Sequence, residues 1–148
     1  MGLNAMPYKF LEDIATADVA FEAWGDSREE MFVACADALL ATMVDEPDDI
    51  ERRKSLEIKL DHEELDLLLF SFLAELVYYK DAKRLLLHAD TVRIDCQNNE
   101  FRLVANVRGE EIAPTRHDLL VDVKAVTLHR FKVSKEGNLW KATVVLDV

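Results

Sequence analysis

The segment 65–77 constrains the fold more than any other. Leu65, Leu68, Leu69, Phe72, Leu73, Leu76 and Val77 recur at helical spacing and form one broad apolar stripe. The surrounding stretch 65–79 carries Asp66 and Glu75 and is too short to cross a bilayer. The stripe is therefore expected at the centre of a core rather than in a membrane. Half of the 148 residues are apolar, enough to close one such core. Few Gly and Pro and no Ser-, Gln- or Pro-rich tract argue against disorder over most of the chain.

A second helix precedes it. Val19, Phe21 and Ala23 alternate with Ala20, Glu22 and Trp24 as a strand, which Gly25-Asp26 breaks. Ser27-Arg28-Glu29-Glu30 then reads as a capping box, the Ser27 hydroxyl accepting from the Glu30 amide and the Glu30 carboxylate reaching back. Met31, Ala34, Cys35, Ala38, Leu39 and Thr42 continue the helix to near Val44, where 45–49 turns into a loop. Leu56, Ile58 and Leu60 form a short amphipathic strand, and Asp61 with Glu64 repeats the capping signature before the 65–77 helix.

From Leu85 the pattern becomes strands. Val92, Ile94 and Cys96 alternate with polar neighbours up to a turn at Asn98-Asn99; Phe101, Leu103, Ala105 and Val107 alternate up to Gly109. Two further strands, 119–132 and 139–148, flank a turn at 135–138. Tight turns between successive strands imply antiparallel pairing. The expected class is α+β: a single domain over 7–148, with one mostly antiparallel sheet and two main helices on one face. No secretory leader opens the chain, and residues 1–6 read as a short N-terminal extension.

Charge and motifs narrow the function. A net charge of −11, from 29 acidic and 18 basic residues, repels a phosphate backbone and suits a cation or a basic protein partner; solubility alone accounts for it equally. Direct nucleic-acid binding and membrane association are not expected. Cys35 and Cys96 form no CxxC or Cys/His spacing and read as packing residues in a reducing cytoplasm. No P-loop, GxGxxG or Ser-His-Asp arrangement indicates independent nucleotide binding or acyl chemistry.

Three segments together resemble the archease family. Thr16-Ala17-Asp18 matches the end of the family's His-Thr-Ala-Asp motif, with Ala15 in place of the His. Pro114-Thr115-Arg116-His117 and Val123-Lys124-Ala125-Val126-Thr127-Leu128-His129 resemble its Pro-x-Arg-His loop and Val-Lys-Ala-Val-Thr-Tyr-His strand, with Leu128 for the Tyr. The closing Leu146-Asp147-Val148 is similar to the family's terminal Leu-Asp-Ile or Leu-Asp-Val. The resemblance implies an accessory protein, not an enzyme. It would activate an RtcB-type RNA ligase in tRNA splicing, promoting the ligase's guanylylation and multiple turnover and broadening its nucleotide use. It also implies a divalent cation, calcium first with magnesium or manganese as alternatives, held by Asp18, Asp147 and Val148.

Elementary chemistry is compatible with that set. If the first and last strands pair antiparallel, Asp18 at the start of one meets Asp147 at the end of the other. Hard oxygen donors favour calcium, magnesium or manganese over zinc. In so acidic a chain, ordinary surface carboxylates would read the same way. Arg116, His117, Lys124 and His129 are expected to gather near the Pro114 loop as a contact surface for the ligase, although each alone has a solvated or structural reading. His62 is placed in the first turn of the second helix, and His88 in or near a strand without an evident partner. Two other functions remain open: a metal-dependent hydrolase or phosphatase using Asp18 and Asp147, and a general chaperone or adaptor docking through its acidic face.

Overall fold

The computed structural model describes residues 6–12 and 18–148. Two helices and seven strands appear in the order β1 (Tyr8–Leu11), β2 (Asp18–Gly25), α1 (Arg28–Met43), a 3-10 turn (Pro47–Asp49), β3 (Lys54–His62), α2 (Leu65–Lys83), β4 (Leu85–Gln97), β5 (Glu100–Glu111), β6 (Ala125–Glu136) and β7 (Leu139–Asp147). The α+β class and the antiparallel pairing are as expected. The strands divide, however, into two sheets rather than one: β1-β2-β7-β6 and β3-β5-β4. α1 packs against β2 of the first sheet and β4 of the second, while α2 packs against β6 of the first and β3 and β4 of the second.

Bridging two sheets explains the composition of the helices. α1 buries Met31, Phe32, Ala34, Cys35, Ala36, Ala38, Leu39, Leu40, Thr42 and Met43, more than one face of the cylinder. A helix apolar on several sides is one covered on several sides. Phe32 and Phe72 stack across the two helices with ring centroids 6.0 Å apart. Each is fully buried, a burial that contributes about 2–3 kcal/mol for a side chain of that size.

The local signals hold in part. Ser27 caps α1, accepting from the Glu30 amide at 3.1 Å. The Glu30 carboxylate accepts from the Ser27 hydroxyl at 3.3 Å. The second capping signature fails: Asp61 lies within β3, and Glu64, the N-cap of α2, makes no side-chain cap bond. Instead the Glu64 amide donates to His62 Nδ1 at 3.0 Å, so His62 ends β3 rather than opening α2. Asn98 and Asn99 take φ of 53° and 61°, the left-handed pair that a two-residue hairpin needs.

β5 runs through Gly109 to Glu111 instead of stopping there. A Cβ on Gly109 would lie 1.7 Å from the Leu86 carbonyl oxygen, so its glycine permits close backbone approach to β4 rather than ending the strand. The expected 119–132 strand begins only at Ala125, and its register jumps between Thr127 and Lys132, looping out Leu128, His129 and Arg130. β1, four residues long, was not separable in sequence from the motif that follows it. Cys35 is buried as expected, whereas Cys96 is exposed.

Candidate functional site

Asp18 opens β2 and Asp147 closes β7, and the antiparallel register makes them direct partners. Asp147 faces Ala125 of β6 on its other side. Directly opposed residues project from the same face with Cβ atoms about 4.5–5.5 Å apart. Both aspartates are half-buried, and half-buried Val148 packs against the core beside them. The Lys124 amide donates to the Asp147 carbonyl at 2.8 Å. That carbonyl is already engaged, so a cation here would draw on the two carboxylates and on Val148. Thr16, Ala17 and Ala15 lie outside the described residues.

Among the described residues no Lys, Arg or His ion-pairs with Asp18 or Asp147. Like charges directly opposite on neighbouring strands are destabilising, and a bound cation would relieve them. Also among the described residues, no group of three or more His, Cys, Asp or Glu side chains is arranged to hold a metal. A cation here would thus rest on two side chains and the oxygens of Val148. These are hard donors, short of the about six to eight oxygens that calcium takes, so water or a partner would complete the shell.

Of the four expected contact residues, Arg116, Lys124 and His129 are exposed and His117 is buried. Arg116 and His117 belong to a knot around Glu110, a buried residue of β5 that sequence reading passed over. Glu110 accepts from the Glu51 amide at 2.6 Å, from Arg116 Nη2 and from His117 Nε2 at 3.2 Å. The Ala113 amide donates to His117 Nδ1 at 2.9 Å. With Nδ1 accepting, the proton sits on Nε2 and points at the carboxylate. Burial alone would raise the Glu110 pKa, but Arg116, the Glu51 amide and His117 hold it down to about 2. The His117 side chain has no exposed surface, which makes it an anchor of the Pro114 loop and removes it from any docking face. Lys124 and His129 are exposed, His129 in the looped-out part of β6. A short Glu–x–x–x–Pro–x–Arg–His spacing is the signal that could have revealed the knot.

A cleft of about 620 Å³ lies elsewhere, lined by Trp24, Asp26, Glu29, Asp37, Asp90 and Val92 among others, and not by Asp18 or Asp147. Burial pushes the Asp37 carboxyl up to about 6, against the pull of Arg52 and with a further push from Asp48. His88, expected without a partner, is buried with Nε2 3.0 Å from the Ile50 carbonyl; burial lowers its pKa. Among the described residues no helix is long and apolar enough to cross a membrane.

The comparisons with known proteins agree with this geometry. The archease protein family profile matches residues 8–148. The archease of Pyrococcus abyssi is 34% identical over 134 residues, covering 90% of this chain and 94% of its own. That of Methanopyrus kandleri is 32% identical over 143 residues, covering 97% and 100%. The solution structure of protein 1598 from Methanobacterium thermoautotrophicum superposes with a TM-score of 0.84 at 31% identity, over 97% of this chain and 99% of that one. The crystal structure of a Thermotoga maritima archease, described as a possible chaperone, shares the fold at a TM-score of 0.62 and 23% identity, over 95% and 98%. With the family profile matched over residues 8–148 and near-complete coverage on both sides, the chain belongs to the archease family.

Proposed function

We propose that this chain is an accessory protein of an RtcB-type RNA ligase rather than an enzyme. It acts in the cytoplasm in tRNA splicing, promotes guanylylation and multiple turnover of the ligase, and broadens the nucleotides the ligase uses. Asp18, Asp147 and Val148 hold a divalent cation, calcium first, with magnesium or manganese as alternatives. The observation that carries this reading is the β2–β7 register, which sets Asp18 opposite Asp147 in a chain matched to archeases almost end to end.

When bound, the cation supplies positive charge between the two facing carboxylates. The chain's own contribution is placement: β2 and β7 fix the two carboxylates, and the Lys124 amide fixes the last turn of chain before Val148. A net charge of −11 supports contact with a basic region of the ligase rather than with RNA.

The test is multiple-turnover RNA ligation by the cognate ligase with GTP and manganese. Added protein is expected to convert a reaction that stalls near one turnover into one that continues. Asp18→Ala and Asp147→Ala are each expected to stay folded and lose that stimulation. No stimulation by the unaltered chain would overturn the reading; stimulation that survives both substitutions would overturn the site.

A further inference from the structure

The segment 118–124, between the Glu110 knot and β6, departs from ordinary loop composition. Leu119, Leu120 and Val121 are consecutive large apolar residues and are 46%, 55% and 41% exposed. Loops that face water are normally polar, and a run of exposed apolar residues is a liability unless used.

This run is held rigidly. The Leu120 amide donates to the Met43 carbonyl at 2.8 Å and the Asp45 amide to the Asp118 carbonyl at 2.9 Å. Val44 and Leu119 form an antiparallel bridge. Lys80, a buried lysine of α2, donates to the Val123 carbonyl at 2.7 Å and binds the Asp122 carboxylate. His117 anchors the preceding residues, and Val123 is fully buried. The main chain is therefore fixed while the three side chains are presented outward, a preorganised display that keeps binding losses small. Beside them lies a pocket of about 120 Å³ lined chiefly by Met43, Leu86, Ile112, Leu119 and Leu120, of a size to take one aliphatic side chain.

The charges around the patch identify what covers it. Asp45, Asp81, Asp118 and Asp122 are exposed around it, and Lys80 among them is already consumed. Arg84 and Lys124 stand at its ends and leave the surround net negative. In a two-fold pair two net-negative surrounds would face each other, so a second copy of this chain is disfavoured. We infer that Leu119, Leu120 and Val121 form a docking surface for a protein partner that offers one protruding aliphatic side chain ringed by lysine or arginine. Resting on the reading above, that partner is the RNA ligase. Two residues separate Val121 from Lys124, whose amide binds Asp147, a span of at most about 11 Å over three residue steps. Docking at the patch would bring the partner to the Asp18/Asp147 corner.

The experiment is fluorescence anisotropy of the labelled chain titrated with the cognate ligase at low and moderate salt. The unaltered chain is expected to bind, more weakly as salt rises. Leu120→Asp is expected to weaken binding at least tenfold while leaving thermal unfolding and calcium binding unchanged, since Leu120 is more than half exposed. Leu120→Met, which keeps an apolar side chain, is expected to stay within about twofold. Binding of Leu120→Asp within twofold of the unaltered chain overturns the docking surface and leaves the ligase reading standing. No binding by the unaltered chain overturns both. Concentration-dependent self-association abolished by Leu120→Asp overturns the assignment in favour of a second copy.

Discussion

Two groups of carboxylates in this molecule are treated in opposite ways. Glu110 is buried and satisfied on both oxygens, by a guanidinium, an imidazole N–H and a backbone amide. Asp18 and Asp147 are partly open to water, face each other across two strands, and have no cationic side chain against them among the described residues. The first arrangement is what a fold does with an acid it needs for structure. The second leaves like charges together, which a fold tolerates where something outside the polypeptide supplies the balance. On the proposed function, the difference is that between a structural acid and a pair of acids open to a ligand.

The largest expected effect lies at the structural end. Glu110→Ala strips the partner from the part-buried Glu51 amide and from the buried His117 Nε2. Two such donors left unmatched cost about 3 kcal/mol together, read from urea unfolding at pH 7. Calcium binding at the opposite group should not change. Loss of calcium binding alongside stability would erase the distinction between the two regions.

Acid titration sharpens the same contrast. The folded-state pKa of Glu110 is depressed, from an ordinary 4.5 to about 2. Its contribution is fully present above about pH 4.5 and is lost as pH falls toward 2. Urea midpoints should therefore drop through that window, and Glu110→Gln should show a flatter profile there. Parallel profiles would refute the depressed value.

Asp37 provides an intermediate case with the opposite sign. Its pKa is raised from 3.8 to about 6, mainly by burial. The folded state then binds the proton more tightly than the unfolded one, so stability attributable to this group rises as pH falls from about 6 to about 3.8. Asp37→Asn should stabilise the fold at pH 7 by about 1 kcal/mol, the shift being discounted for partial exposure. That advantage should vanish below about pH 4. Destabilisation at neutral pH would mean the carboxylate has a partner.

The smallest effect belongs to the open group. In chelator, Asp18→Asn removes one of two facing charges and should leave stability unchanged or raised by about 0.5 kcal/mol. A drop of several kcal/mol would show that Asp18 is structural after all.

What could be read in advance follows how local each cause is. Ser27 and Glu30 lie three residues apart, and Asn98-Asn99 is its own hairpin turn, so both were legible. The stripe from Leu65 to Val77 announced a buried helix, but a stripe does not say whether one sheet or two cover it. The second sheet, the register jump after Thr127 and the continuation of β5 past Gly109 depend on partners distant in sequence. For His117 the sequence left a contact role and a structural one both open, because its burial is created by Glu110 and the Ala113 amide folding over it. Alternation alone could not pair Asp18 with Asp147; the family resemblance named them, and the β2–β7 register then set them face to face.

Calcium titration by isothermal calorimetry tests most directly whether Asp18 and Asp147 share a cation. The unaltered chain and Glu110→Gln should both bind one calcium with similar affinity, while Asp18→Asn and Asp147→Asn should each lose at least tenfold. Calcium binding of undiminished strength in either asparagine variant would contradict a shared cation.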